Sequence, residues 1–186
     1  MHPILRKLEG GDRRSIGRSN EVVADVIADP RLFGAVFSGL QSDDPVLRAR
    51  AADAVEKITA RHPEYLRPYK AQLVGPLARV NQKEVRWHVA QMLSRIPWNP
   101  SERQRVMDIL MDYLNDESSI VKTFAMQALA DFARDTPELI PQVLLHLEEL
   151  TAIGTPAMKA RGRKLLAKLG ERPRRSTGRA KKRRAR

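Results

Sequence analysis

Leu47-Arg-Ala-Arg-Ala-Ala-Asp-Ala-Val55 aligns without gaps on three later segments. These are Val85-Arg-Trp-His-Val-Ala-Gln-Met-Leu93, Val121-Lys-Thr-Phe-Ala-Met-Gln-Ala-Leu129 and Met158-Lys-Ala-Arg-Gly-Arg-Lys-Leu-Leu166. Their starts lie 38, 36 and 37 residues apart, a spacing that marks a repeat architecture. In each segment apolar or small residues recur at i, i+4, i+7, i+8 and i+11. The stripe in the first is Leu47, Ala51, Ala54, Val55 and Ile58, and in the second Val85, Val89, Met92, Leu93 and Ile96. That is the period of an α-helix with one buried face. The i+4 position is always small or β-branched, which lets a neighbouring backbone come close.

A second series of helices is expected between these. Pro63, Pro100 and Pro137 are each 37 residues apart, and proline suits the first turn, where its missing N–H costs nothing. Tyr69, Val106 and Val143 follow six residues on, and Leu73, Leu110 and Leu147 ten residues on. Ser101 with Gln104 has capping-box spacing, and Thr136 precedes Pro137 as an N-cap. Pro68 and Pro141 fall inside first turns or kink them. An earlier pair begins with Arg31–Leu40, and an amphipathic cap helix spans Ser19–Ala28.

The expected fold is therefore all-α. It is an α-α superhelix of about four helix pairs behind one N-terminal cap helix, over residues 15–170. A looser lead-in (1–14, broken at Gly10-Gly11-Asp12) precedes it, and a basic tail (171–186) follows. The competing reading is a helix bundle with chance spacing. Arg48, Arg86, Lys122 and Lys159 follow the first apolar residue of every second helix. This apolar-basic-x-x-small-x-x-small-apolar pattern, with Asp44-Pro45 before the first, resembles the second helix of HEAT repeats over roughly residues 30–169. The fourth unit departs furthest, with Gly162 at i+4 and no acid before Met158. The resemblance implies a scaffold that binds protein partners.

Composition bounds the chemistry. The 186 residues hold 34 Lys and Arg, 22 Asp and Glu, and no Cys. Without cysteine there is no disulfide framework, thiolate nucleophile or thiolate metal site, and a reducing compartment is the expectation. No apolar run approaches the roughly 18 residues of a membrane helix, so no membrane insertion is expected. The apolar part of the N-terminal segment is too short for a signal peptide. Residues 156–186 carry 14 bases against one acid, Glu171, while residues 1–155 carry 20 bases and 21 acids. A near-neutral body thus bears a basic end. From Arg172 onward nine bases meet no acid and no large apolar residue, a composition expected to be disordered.

The helix period assigns faces. Opposite each buried stripe stand i+2 (Ala49, Trp87, Thr123, Ala160), i+5 (Ala52, Ala90, Met126, Arg163) and i+6 (Asp53, Gln91, Gln127, Lys164). In a solenoid this is the expected concave binding wall. Asp53, Trp87, Gln91, Thr123, Met126 and Gln127 are accordingly the candidate protein-binding residues. Trp is enriched among interface hot spots, so an outward Trp87 reads as an anchor. It reads equally as a side chain folded back between repeats, because periodicity fixes a face and not a rotamer. His88 and Phe124, at i+3, are read as packing between repeats. Toward the C-terminus the wall turns basic, with Arg161, Arg163, Lys164 and Lys168 on the last helix. Arg172, Arg174, Arg175, Arg179, Lys181, Lys182, Arg183, Arg184 and Arg186 continue it. Clustered charge of one sign points to an anionic partner, here non-specific nucleic acid, since no aromatic lies beyond Phe132 to stack on bases. The Lys181-Lys-Arg-Arg184 run also reads as a nuclear address in a eukaryotic host, or as a contact for acidic lipid or protein. The body is otherwise expected to be cytoplasmic.

Enzymatic motifs are not evident. His2, His62, His88 and His146 share no metal-ligand spacing, and there is no phosphate loop or nucleophile elbow. No catalytic residue, metal, cofactor or small-molecule substrate is expected. Bacterial alkylpurine DNA glycosylases are built of HEAT-like repeats, holding DNA with aromatics and a catalytic Asp. Here only Trp87 and Trp98 are available, Trp98 sits in the turn Ile96–Pro100, and no Trp–Asp pairing resembles that motif. Bilin lyases use similar repeats, but no residue here points to a pigment site. The expected function is a non-catalytic scaffold with a basic tether. The alternatives are a nucleic-acid-binding repeat protein and, more remotely, a glycosylase-like enzyme.

Overall fold

The computed structural model describes residues 1–12 and 15–170. The tail from 171 onward, with its nine candidate anion contacts, lies outside them. Among the described residues the chain forms α1 (Ser19–Ala28), α2 (Phe33–Ser38), α3 (Pro45–Thr59), α4 (Lys70–Leu73), α5 (Lys83–Leu93), α6 (Pro100–Leu114), α7 (Ser119–Arg134), α8 (Ile140–Ile153) and α9 (Pro156–Gly170). Short 3-10 turns lie between some of them, and no strand is present among those residues.

The second helices α3, α5, α7 and α9 stack side by side, with α1 ahead of α3, to make one layer. The first helices pack behind them, and α6 on α7 and α8 on α9 are the most regular pairs. The repeat stripes are the core. Leu47, Ala51, Ala54, Val55 and Ile58 are buried on α3, Val85, Val89, Met92 and Leu93 on α5, and Val121, Ala125, Ala128 and Leu129 on α7. Each full burial of a large aliphatic stabilises the fold by about 1.5–3 kcal/mol, which makes this layer its main support.

The early first helices are broken. Where one helix is expected from Arg31, the chain makes a 3-10 turn at Pro30–Leu32, then α2, then a 3-10 turn at Gly39–Gln41. Residues 63–79 run as 3-10 (Pro63–Tyr69), one short α segment (α4) and 3-10 again (Leu77–Arg79). Pro68 inside and Pro76 near the end explain the second case, since proline removes a donor and its ring clashes with the preceding turn. Aromatic packing compensates. Phe37 stacks on Tyr69 with ring centroids 4.0 Å apart, and Phe33 meets Tyr65 edge-on at 5.2 Å.

Three local expectations shift. The capping box of α6 is Asn99 with Glu102, not Ser101 with Gln104. The Asn99 side chain accepts from the Glu102 N–H at 2.9 Å, while the Glu102 carboxylate accepts from the Asn99 N–H at 2.9 Å. Thr136 makes no side-chain cap and is buried. The lead-in is part of the fold, because Pro3–Leu8 forms a 3-10 helix whose Ile4, Leu5 and Leu8 join the common core.

The irregular fourth unit has a packing reason. A Cβ on Gly162 would stand 1.8 Å from Thr151 Oγ1 and 3.1 Å from Met126 Cε. Only glycine lets α9 lie this close to α8 and α7. The basic position of the motif links successive repeats. Arg48 donates to Gln82 Oε1 at 2.7 Å, and Arg86 to Asp116 Oδ2 at 2.5 Å. Each arginine thereby holds the loop that precedes the next second helix.

Candidate functional site

A cleft of about 690 Å³ opens between α3 and α5 on the exposed side of the second-helix layer. Its floor is Ala49, Asp53 and His88, and its α5 wall carries Glu84 and Trp87. Ile16 closes one side from the loop before α1, and Ile120 the other from the first turn of α7. Ile16 is 45% exposed and Ile120 is 44% exposed. These are large apolar side chains the core leaves in water.

Trp87 combines both expectations. It is half-buried and packs on the core, with its ring edge-on to His88 at 5.4 Å, yet it also lines the cleft. His88 is buried, as a packing role requires, and its Nδ1 has no hydrogen-bond partner. Burial pushes its pKa down to about 4, against the opposing pull of Asp53 and Glu56. The ring is therefore neutral in ordinary buffers.

The other candidates scatter. Asp53 lines the cleft, but its Oδ2 accepts from Ser19 Oγ at 2.5 Å and from Lys57 Nζ at 2.7 Å. Gln91 donates back to the Trp87 carbonyl at 3.3 Å, and Thr123 to the Ser119 carbonyl at 2.7 Å. Gln127 is held between Asp131 at 2.8 Å and Arg161 at 2.7 Å. None of Gln91, Thr123 and Gln127 lines the cleft. Met126 is not a surface contact at all. It is fully buried, because the close approach of α9 at Gly162 covers the i+5 position of α7. Ala90 is buried at the equivalent place on α5. On the last helix Arg161 is half-buried through its bond to Gln127, whereas Arg163, Lys164 and Lys168 are exposed.

Arg50 organises the cleft. It is only 5% exposed. Its guanidinium donates to the carbonyls of Leu8 at 3.1 Å, Glu9 at 3.1 Å, Gly10 at 2.5 Å, Asp12 at 3.1 Å and Ser15 at 3.0 Å. The planar fork of five donors suits such a cage. Gly17 completes it. Its φ of +54° is in the left-handed region, and a Cβ there would stand 2.7 Å from Arg50 Cζ. The cage pins the loop that presents Ile16. The sequence did carry a signal for it: Arg50 stands at i+3, which His88 and Phe124 fill in the next repeats, downstream of a Gly-Gly pair. Ile16 and Ile120 carried none, since each stands outside its repeat stripe.

Among the described residues no helix is long and apolar enough to cross a membrane. No curated protein and no solved structure matches the chain. A family model described as a HEAT repeat domain matches residues 10–169. That span takes in the second-helix layer, the Arg50 cage and the cleft, and the chain belongs to the HEAT-repeat family, an architecture of helical interaction scaffolds that are typically not catalytic.

Proposed function

We propose that the protein is a non-catalytic scaffold that holds a segment of a partner protein in the cleft at Trp87, on the concave side of the solenoid. The observation that carries this reading is the convergence of Ile16, Trp87 and Ile120 on one depression. Exposed apolar side chains scattered singly need no explanation, but a rimmed apolar cluster marks an interaction site. The test is capture from host extract by wild type, Trp87→Ala and the double variant Ile16→Ser/Ile120→Ser. A partner held by wild type and lost by both variants, each still folded by circular dichroism, is the expected result. Identical capture by all three would sink the reading.

A second activity is favoured at the other end. Arg163, Lys164 and Lys168 are exposed on α9, and none of them makes an ion pair with a described residue. With the basic tail they form an electrostatic tether for an anionic surface, nucleic acid foremost. Nine tail bases give a salt slope of up to about −8, at roughly −0.9 per neutralised phosphate. Anisotropy of a labelled random duplex against the full chain and a 1–170 truncation measures it. Equal binding by the two chains would remove the tail from the tether.

A further inference from the structure

The cleft continues into a second depression of about 640 Å³, with Lys83, Glu84 and Ile120 as the wall common to both. Glu117 lines that second part. The result is one trough, in which an acid stands three residues before an apolar side chain twice: Glu84 before Trp87 on α5, and Glu117 before Ile120 at the start of α7. Residues three apart on a helix share a face, so Glu84 lies beside Trp87. Neither glutamate makes an ion pair or hydrogen bond through its carboxylate with a described residue. Asp53 and Asp116 are by contrast already held by Lys57 and Arg86. Among the described residues that line the trough the one lysine is Lys83, and the Arg50 charge is spent on backbone carbonyls.

We propose that the partner segment carries an apolar side chain directly flanked by basic residues, the apolar group seated among Ile16, Trp87 and Ile120 and the cations on Glu84 and Glu117. This rests on the cleft being the partner site. Glu84, in the first turn of α5, also stabilises that helix start through the dipole, but that role leaves it able to take a cation. The same two charges repel the phosphates of a nucleic acid. The tail of this chain is cationic but has no apolar side chain larger than Pro173, Ala180 and Ala185, so it lacks the anchor.

A peptide-display library selected on the full chain tests this, with Trp87→Ala and Ile16→Ser/Ile120→Ser as counter-targets. Both isoleucines are well exposed, so the second variant keeps its fold even where the first does not. Selected peptides are then measured by anisotropy on wild type and on Glu84→Lys/Glu117→Lys. The expected peptides place a Leu, Ile, Met or Phe beside Lys or Arg. They lose at least about fivefold in affinity on charge reversal, the scale of one to two exposed ion pairs, and the loss shrinks at high salt. Cleft-dependent peptides that are acidic, or that bind the charge-reversed protein undiminished, overturn this proposal and leave the cleft reading standing. Peptides that bind all variants alike overturn both. Displacement of a selected peptide by a synthetic 171–186 peptide or by a DNA duplex assigns the trough to the tail or to nucleic acid, and also overturns it.

Discussion

Replacing Arg50 by Met keeps the aliphatic stem and removes the whole guanidinium cage. Five carbonyls lose their donor at once. A hydrogen bond to a charged group contributes about 1.5–3 kcal/mol, so the bonds taken singly would sum to more than the stability of many domains. The loss cannot reach that sum. Glu9, Gly10, Asp12 and Ser15 are exposed residues whose carbonyls can turn to water. The cost is also capped at the free energy of releasing residues 1–17 from α3. That segment buries Ile4, Leu5 and Leu8, a gain of about 1.5–3 kcal/mol each. The backbone entropy regained on release offsets much of that gain. The bond least replaceable by water is the one to Leu8, a buried residue; losing it sets the expected cost at about 1.5–3 kcal/mol, or roughly 3–12 °C in melting temperature for a chain of this size. Hydrogen exchange read by mass spectrometry over residues 2–12, together with calorimetry, tests this. The Leu5 and Glu9 amides, which donate to the His2 and Arg6 carbonyls, should lose protection while α5 and α7 keep theirs. Arg50→Lys retains the charge but cannot span five acceptors, and should fall between the two. Unchanged protection at Leu5 and Glu9, with melting within about 2 °C of wild type, would refute the cage as the support of the lead-in.

Three further outcomes are expected. The His88 pKa is held near 4 in the folded protein against 6.5 in the unfolded chain, chiefly by burial. The unfolded state therefore binds the extra proton, and the stability is full above about pH 6.5 and lost as pH falls toward 4, by about 2 kcal/mol at pH 5; urea midpoints should fall less steeply with acid in His88→Phe, and parallel curves would contradict the assignment. Gly162→Ala places a methyl against Thr151 and should cost about 1–3 kcal/mol by overpacking, with Thr151→Ala restoring part of it; a thermally neutral single variant would mean that α8 and α9 can part freely. Asn99→Ala removes the α6 capping box and should cost about 1 kcal/mol, whereas Ser101→Ala should be nearly silent in the same denaturant titration.

The period of about 37 residues and the stripes beginning at Leu47, Val85, Val121 and Met158 determined the second-helix layer, its register and the family. Those features follow from local rules: a helix buries one face, and the face repeats with the helix period. The same rules placed Trp87 and Asp53 on the exposed side of that layer. They placed Met126 there too, and that failed, because the angle at which a neighbour approaches is set by the neighbour. Gly162 brings α9 over Met126, and no feature of residues 121–129 records it. Whether the chain between the second helices makes α-helix or 3-10 turns was decided by Pro68, Pro76 and the aromatic cluster around Phe37 and Tyr69 acting together across two repeats. The sequence by itself determined that the second helices form and which stripe each of them buries. The cleft was decided by tertiary structure alone, since its walls, Ile16, Trp87 and Ile120, come from three segments separated by up to about a hundred residues. Ile16 joins the other two because Arg50 holds the loop before α1 onto α3, and long-range contacts of that kind leave no periodic trace in the chain.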